Sequence, residues 1–209
     1  VGEAPGPAGA TSGLDWQELR ALVQTCTLCD LHKGRTQAVF GVGDPVADWM
    51  VVGEAPGAEE DRQGEPFVGR AGQLLNAMLH AVGLQRNAVY IANILKCRPP
   101  NNRDPRPEEA ACCEPYLQRQ VVLVAPRLIL AVGRVAAQNL LKTDEPLGRL
   151  RGRVHRYGPA GTPVVVTYHP AYLLRSPAEK RKAWQDLLMA RQVLAEPHSD
   201  EGVGTARRQ

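Results

Sequence analysis

At 209 residues, with 44% hydrophobic but only 5% aromatic residues, the chain is long enough for one well-buried core and suits an Ala-, Val- and Leu-rich α/β domain better than a β-sandwich. No run approaches the roughly 18 apolar residues of a membrane span, and the amino end carries no basic-then-apolar secretory pattern, so the chain is expected in the cytoplasm. A net charge of +3 admits a nucleic-acid partner without requiring one.

Residues 1–13 are rich in Gly, Pro and Ala, and 196–209 are polar with a basic finish; both are expected to be mobile tails around one domain over 14–195. Leu14, Leu19, Leu22 and Val23 fall at helical spacing behind Asp15, a good cap, which predicts an amphipathic helix over Leu14 to Thr25 that delivers Cys26. Apolar runs at Trp49 to Val52, Val89 to Leu95, Leu128 to Val132 and Val164 to Thr167 predict buried strands. They alternate with helices predicted over Ala71 to Val82, Pro107 to Val124, Arg134 to Leu141 and Ala178 to Leu194. Pro107 suits a first helical turn, whereas Pro115 is expected to kink or split its helix. Such alternation implies a parallel sheet covered on both faces, with ligands bound outside the carboxyl ends of its strands. The loops there begin at Gly53, at Asn93 to Lys96, at Gly133 and at His169. Basic residues crowd Arg149 to Arg156 and again Arg175 to Lys182, a pattern that reads equally as a DNA-facing patch and as an ordinary solvated face.

Of five cysteines, Cys26 and Cys29 form a C-x2-C pair, Cys97 stands alone, and Cys112 and Cys113 are neighbours. A cytoplasmic chain has little use for disulfides, so paired thiols point to metal, either zinc or an iron-sulfur cluster. Neighbours on a helix point about 100° apart, so only one of Cys112 and Cys113 faces such a site.

The segment GEAPGAEEDRQGEPFVGRAGQLL from Gly53 is a Gly- and Pro-rich loop between strand and helix, of the kind that brings backbone N–H groups close to a ligand, although it matches neither phosphate-loop pattern. Val1 to Gly6 repeats VGEAPG, the sequence of Val52 to Gly57, but without a preceding strand that copy is assigned no function. After the last predicted strand comes TYHPAYLLR, Thr167 to Arg175, in which an apolar pair beside a basic residue suits either core packing or a wedge between base steps.

In this order, the C-x2-C pair, the GEAPG to PFVG segment, the NILKCRPP run with Cys113 downstream, and HPAYLLR resemble the family 4, iron-sulfur uracil-DNA glycosylases over roughly residues 22 to 195. The resemblance implies a four-stranded parallel sheet between helices and a [4Fe-4S] cluster held by Cys26, Cys29, Cys97 and Cys113. It also implies a monomeric, monofunctional enzyme that hydrolyses the N-glycosidic bond of uracil in DNA and so opens base excision repair. Gly53, Glu54 and Ala55 would line the uracil pocket, Phe67 stack on the base, Asn93 read its edge, and His169 face the departing uracil. Leu173, Leu174 and Arg175 would hold the opened duplex, and Glu60 is a secondary pocket candidate. Glu54 would position the attacking water, with His169 its partner in catalysis. Plainer alternatives are core packing for Phe67, strand capping for Asn93 and loop anchoring for Glu54. A related branch that traps uracil covalently has an altered GE-x-PG motif and an inserted basic loop bearing His; here GEAPG is intact and RPPNNRDPRPEEAAC contains no His. A cluster-stabilised nucleic-acid-binding module without catalysis is the non-enzymatic alternative.

Overall fold

A computed structural model describes residues 11–195. The carboxyl-terminal tail and the first VGEAPG copy lie outside the described residues. Of the expected amino-terminal tail, 11–13 are described, and Thr11 is buried, so packing begins before Leu14.

Helix α1 (Trp16–Gln24) starts at Asp15, whose Oδ1 accepts from the N–H groups of Gln17 (2.8 Å) and Glu18 (2.9 Å), while Glu18 Oε2 accepts from Asp15 N at 2.9 Å. This reciprocal cap satisfies the free donors of the first turn. After it, the α-helices among the described residues are α2 (Ala58–Gln63), α3 (Arg70–Ala81), α4 (Pro107–Val124), α5 (Arg134–Leu141), α6 (Leu147–Leu150), α7 (Pro170–Arg175) and α8 (Lys180–Ala195). Pro115 neither ends nor splits α4. The carbonyl that it leaves without a helical donor belongs to Ala111, which is exposed to water.

Among the described residues the strands are β1 (Val42–Gly43), β2 (Trp49–Gly53), β3 (Tyr90–Asn93), β4 (Leu128–Val132), β5 (Val154–Tyr157) and β6 (Thr162–Thr167), in one six-stranded sheet of order β1-β3-β2-β4-β6-β5. The expectation of four strands is corrected here. The four predicted strands form the parallel centre, β3-β2-β4-β6, and antiparallel β1 and β5 extend it at either edge. Strands buried on both faces are apolar throughout, hence their legibility; β1 is two residues long and β5 is a half-exposed VHRY. On one face Met50, Val52, Ala92, Ile129, Ala131, Val164 and Val166 pack under α4, α5 and α6. On the other, Val51, Ile91, Leu130, Val132 and Val165 pack under α3, α7 and α8. Leu19 and Val23 of α1 join Ala38, Phe40 and Tyr116 in a third cluster. No helix among the described residues is long and apolar enough to cross a membrane.

Candidate active site

The carboxyl ends of β2, β3 and β6 open into a cleft of about 490 Å³, lined among others by Glu54, Ala55, Glu60, Phe67, Asn93 and His169. Gly53 stands just behind it. A Cβ there would lie 2.5 Å from Asn93 Oδ1 and 2.6 Å from Phe67 Cζ, so only glycine lets the ring and the amide share one slot.

Asn93 ends β3, is 2% exposed, and its Oδ1 is buried without a hydrogen-bond partner. An unpaired buried polar group costs about 1–3 kcal/mol, which a ligand donor would recover. From beneath, the fully buried Lys96 ammonium donates to Asn93 O (2.8 Å) and Gln120 Oε1 (2.6 Å), fixing the end of the strand.

Phe67 and His169 are in ring contact, with centroids 5.5 Å apart and planes tilted by 30°. Phe67 is left-handed, at φ 55°, a conformation that costs a non-glycine residue about 1–3 kcal/mol unless its surroundings impose it. Glu60 contributes to that hold: Oε1 accepts from Val68 N (3.0 Å) and Gly69 N (3.2 Å), and Oε2 from Gly57 N (3.2 Å). Its carboxylate therefore ties the GEAPG turn to the PFVG turn. The short helix α2, in a segment whose sequence predicts a loop, carries Glu60 and ends at Gly64 with φ 78°.

His169 caps α7, and its Nδ1 accepts from Ala171 N at 3.1 Å. Burial, then the charge of Arg175, brings its pKa down to about 4 against a smaller opposing effect of Glu60. The ring is neutral at pH 7, and with Nδ1 an acceptor its proton sits on Nε2. Gly133, at φ 99°, clears the space beside it: a Cβ would come 3.0 Å from His169 Cβ. Burial raises Glu54 to about 7, with Asp104 adding to the rise and Arg134 opposing it.

Part of the cleft wall went unread in the sequence. Pro99, Asn102, Arg103 and Asp104 come from the link after Cys97, and Tyr172 from α7. The link is shaped by left-handed Asn101 and Asn102 and by Arg103, which forks onto Glu109 at 2.5 and 2.9 Å. The Asn-Asn pair was the available signal, since asparagine tolerates φ > 0. Leu173, expected at the duplex, is 1% exposed and packs in the core with Leu187 and Leu79, because neighbours on a helix point about 100° apart and only one of the Leu173–Leu174 pair faces the sheet. Leu174 and Tyr172 reach the surface instead, each 37% exposed, with Arg175 beside them.

The five cysteines gather where the loop after α1 meets α4. Cys97 and Cys113 are buried, Cys26, Cys29 and Cys112 partly so. Burial raises the Cys29 thiol, with smaller contributions from Cys97, Cys112 and Cys26, and pushes Cys113 up to about 12, aided by Cys97 and Cys29. Arg35 donates to Cys97 Sγ at 3.0 Å, whereas Cys112 Sγ turns to Leu28 O at 3.4 Å. Among the described residues no three His, Cys, Asp or Glu side chains stand close enough to hold a single metal ion. A cluster, in which each thiolate holds a different iron, spaces its ligands more widely than one ion does. Four soft donors from three chain segments, with N–H groups aimed at sulfur, fit that chemistry.

Residues 40–188 match the uracil-DNA glycosylase superfamily. A type-4 uracil-DNA glycosylase of Pyrobaculum aerophilum is 45% identical over 84% of this chain and 93% of its own length. Those of Archaeoglobus fulgidus and Thermotoga maritima are 49% and 44% identical, each over 74% of this chain and 81% and 80% of their own lengths. With the pocket and the thiols arranged as above, the chain belongs to the uracil-DNA glycosylase superfamily and, within it, to the type-4 family.

Proposed function

We propose that this protein is a monofunctional uracil-DNA glycosylase, acting as a cytoplasmic monomer, which takes uracil extruded from DNA into the cleft and hydrolyses its N-glycosidic bond. The observation that carries this reading is the buried Asn93 Oδ1, which has no hydrogen-bond partner, in a cleft that Phe67 and His169 also line. Oδ1 can accept from uracil N3–H while Nδ2 donates to O4; cytosine reverses both and would leave buried groups unpaired. Stacking on Phe67 returns about 1–3 kcal/mol of the cost of extruding the nucleotide.

As the glycosidic bond breaks, negative charge grows on uracil and positive charge on the sugar. A neutral His169 donating from Nε2 to the base oxygen is worth more at that point than before it, and ionised Glu54 orients water and favours the cationic sugar. Leu174 and Arg175 are the residues to hold the opened strand, Leu173 being in the core. Glu60 serves the pocket through backbone N–H groups, with both oxygens engaged there.

The same reading includes a [4Fe-4S] cluster on Cys26, Cys29, Cys97 and Cys113. When bound it would cross-link three chain segments; glycosidic hydrolysis moves no electrons, so its role is to hold the fold. The test of function is incubation with a single-uracil oligonucleotide followed by alkali: strand cleavage at uracil, and none at a cytosine or thymine control, is expected, and an intact uracil strand would refute the proposal.

A further inference from the structure

Phe67 must keep its ring in the slot beside Asn93 from a backbone conformation that phenylalanine disfavours. Glu60 holds the two N–H groups that follow it. The carbonyls are held by a second charged group that lies outside the cleft. Arg86, in the 3-10 turn before β3, donates from Nη2 to Pro66 O (2.5 Å) and from Nη1 to both Phe67 O (3.2 Å) and Asn76 Oδ1 on α3 (3.2 Å). It is half-buried there. Gly72 of α3 closes the remaining side, since a Cβ at that position would lie 1.8 Å from Phe67 O.

We propose that Arg86 is a positioning residue for base recognition: its guanidinium fork locks the Pro66–Phe67 backbone and so presents the Phe67 ring to the uracil without touching it. The inference rests on the reading of Phe67 as the surface on which uracil stacks. An anion on the N–H groups and a cation on the carbonyls grip one turn from opposite sides, and each bond is charge-assisted. A planar fork can span two successive carbonyls and the Asn76 oxygen at fixed angles; the single ammonium of lysine cannot. Without that grip, Phe67 is free to relax to negative φ, which swings the ring out of the slot that Gly53 keeps open.

Free uracil serves as the probe, because it reports on the pocket independently of DNA binding. Arg86→Ala is expected to raise the uracil inhibition constant about tenfold, on the scale of one base stacked on one aromatic ring. Arg86→Lys, which retains the charge and the side-chain stem, should lose affinity several-fold and serves if the alanine variant fails to fold. Either effect should largely vanish in a Phe67→Leu background, a non-additivity that a merely structural arginine would not produce. Equal losses with and without Phe67, or an unchanged inhibition constant alongside a lowered Tm, would overturn the proposal. If the wild type bound free uracil but left uracil-DNA uncut, the catalytic reading would fall, while the coupling of Arg86 to Phe67 would still be decided by uracil binding.

Discussion

Glu54 carries the sharpest consequence at the scale of single residues, because its burial serves chemistry at the expense of stability. With a pKa raised from 4.5 to about 7 by burial and Asp104, it is largely protonated at pH 5.5 and ionised at pH 8.5. If the ionised form is active, the single-turnover rate rises about tenfold per unit below pH 7 and levels above it. Asp104→Asn removes a charge that raises the pKa and frees Arg134, which lowers it, so the midpoint of this profile should move to lower pH. Glu54→Gln should slow cleavage by roughly 10² to 10⁴ while uracil-DNA binding is largely kept. The same variant tests the stability side. A carboxyl whose folded pKa exceeds its unfolded value contributes stability below about pH 4.5 that is lost as pH rises through about 7, so Glu54→Gln should melt above wild type at pH 8 and level with it at pH 4. A melting temperature at pH 8 equal to or below that of wild type would place Glu54 in water. Asn93→Asp trades a donor for an oxygen and should relax discrimination against cytosine, measured as the ratio of kcat/KM on the two bases. Of the cleft lining, Glu54, Phe67, Asn93 and His169 were legible through motif resemblance, whereas Arg86 behind it was not, because its partners are backbone carbonyls nineteen and twenty residues away.

At the scale of elements, the cysteines sit on three separate segments: Cys26 and Cys29 follow α1, Cys97 follows β3, and Cys113 lies in α4. In the proposed holoprotein these thiolates give a brown colour and about four iron per chain. Cys97→Ala and Cys113→Ala should both lose iron and melt well below wild type, whereas Cys112→Ala, whose sulfur turns to Leu28 O, should keep both. Iron loss from Cys112→Ala with retention in Cys113→Ala would reverse the assignment of the ligand. Elements with long apolar periods were readable in the sequence, as the central strands and α3, α4, α5 and α8 attest. Those missed are short. α2 and α7 have six residues each, and β1 has two, so no period can develop. At the start of β6, Pro163 conceals two residues of strand by interrupting the apolar run; it sits beyond the β4 ladder, which begins at Val164, and there it costs no hydrogen bond to β4.

For the whole molecule, the modest charge of +3 hides how differently its cations are placed to meet DNA. Much of the basic stretch after Arg149 is taken up in internal contacts: Arg151 forks onto buried Asp186 at 2.8 and 2.9 Å, Arg153 pairs with Glu145, His155 Nε2 meets Leu150 O, and Arg156 donates to Gly161 O. Arg134 is held by Asp104 and Lys182 by Glu179. Arg175, by contrast, lines the cleft, is exposed, and makes no ion pair among the described residues. Each phosphate that a free cation neutralises releases bound counterions and steepens the fall of affinity with salt by about 0.9 in the logarithmic slope. Arg175→Ala should therefore lower that slope by about one, and Arg153→Ala, already paired and at the sheet edge, should leave it unchanged. The measurement needs intact substrate, so both changes belong in the slow Glu54→Gln background, with uracil-DNA affinity followed from 50 to 300 mM salt. Arg175 also lowers the His169 pKa, so its loss should ease protonation of that ring at low pH without altering its neutral state at pH 7. A slope that stays constant in Arg175→Ala while falling in Arg153→Ala would move the DNA track away from the cleft rim and toward the β5 edge.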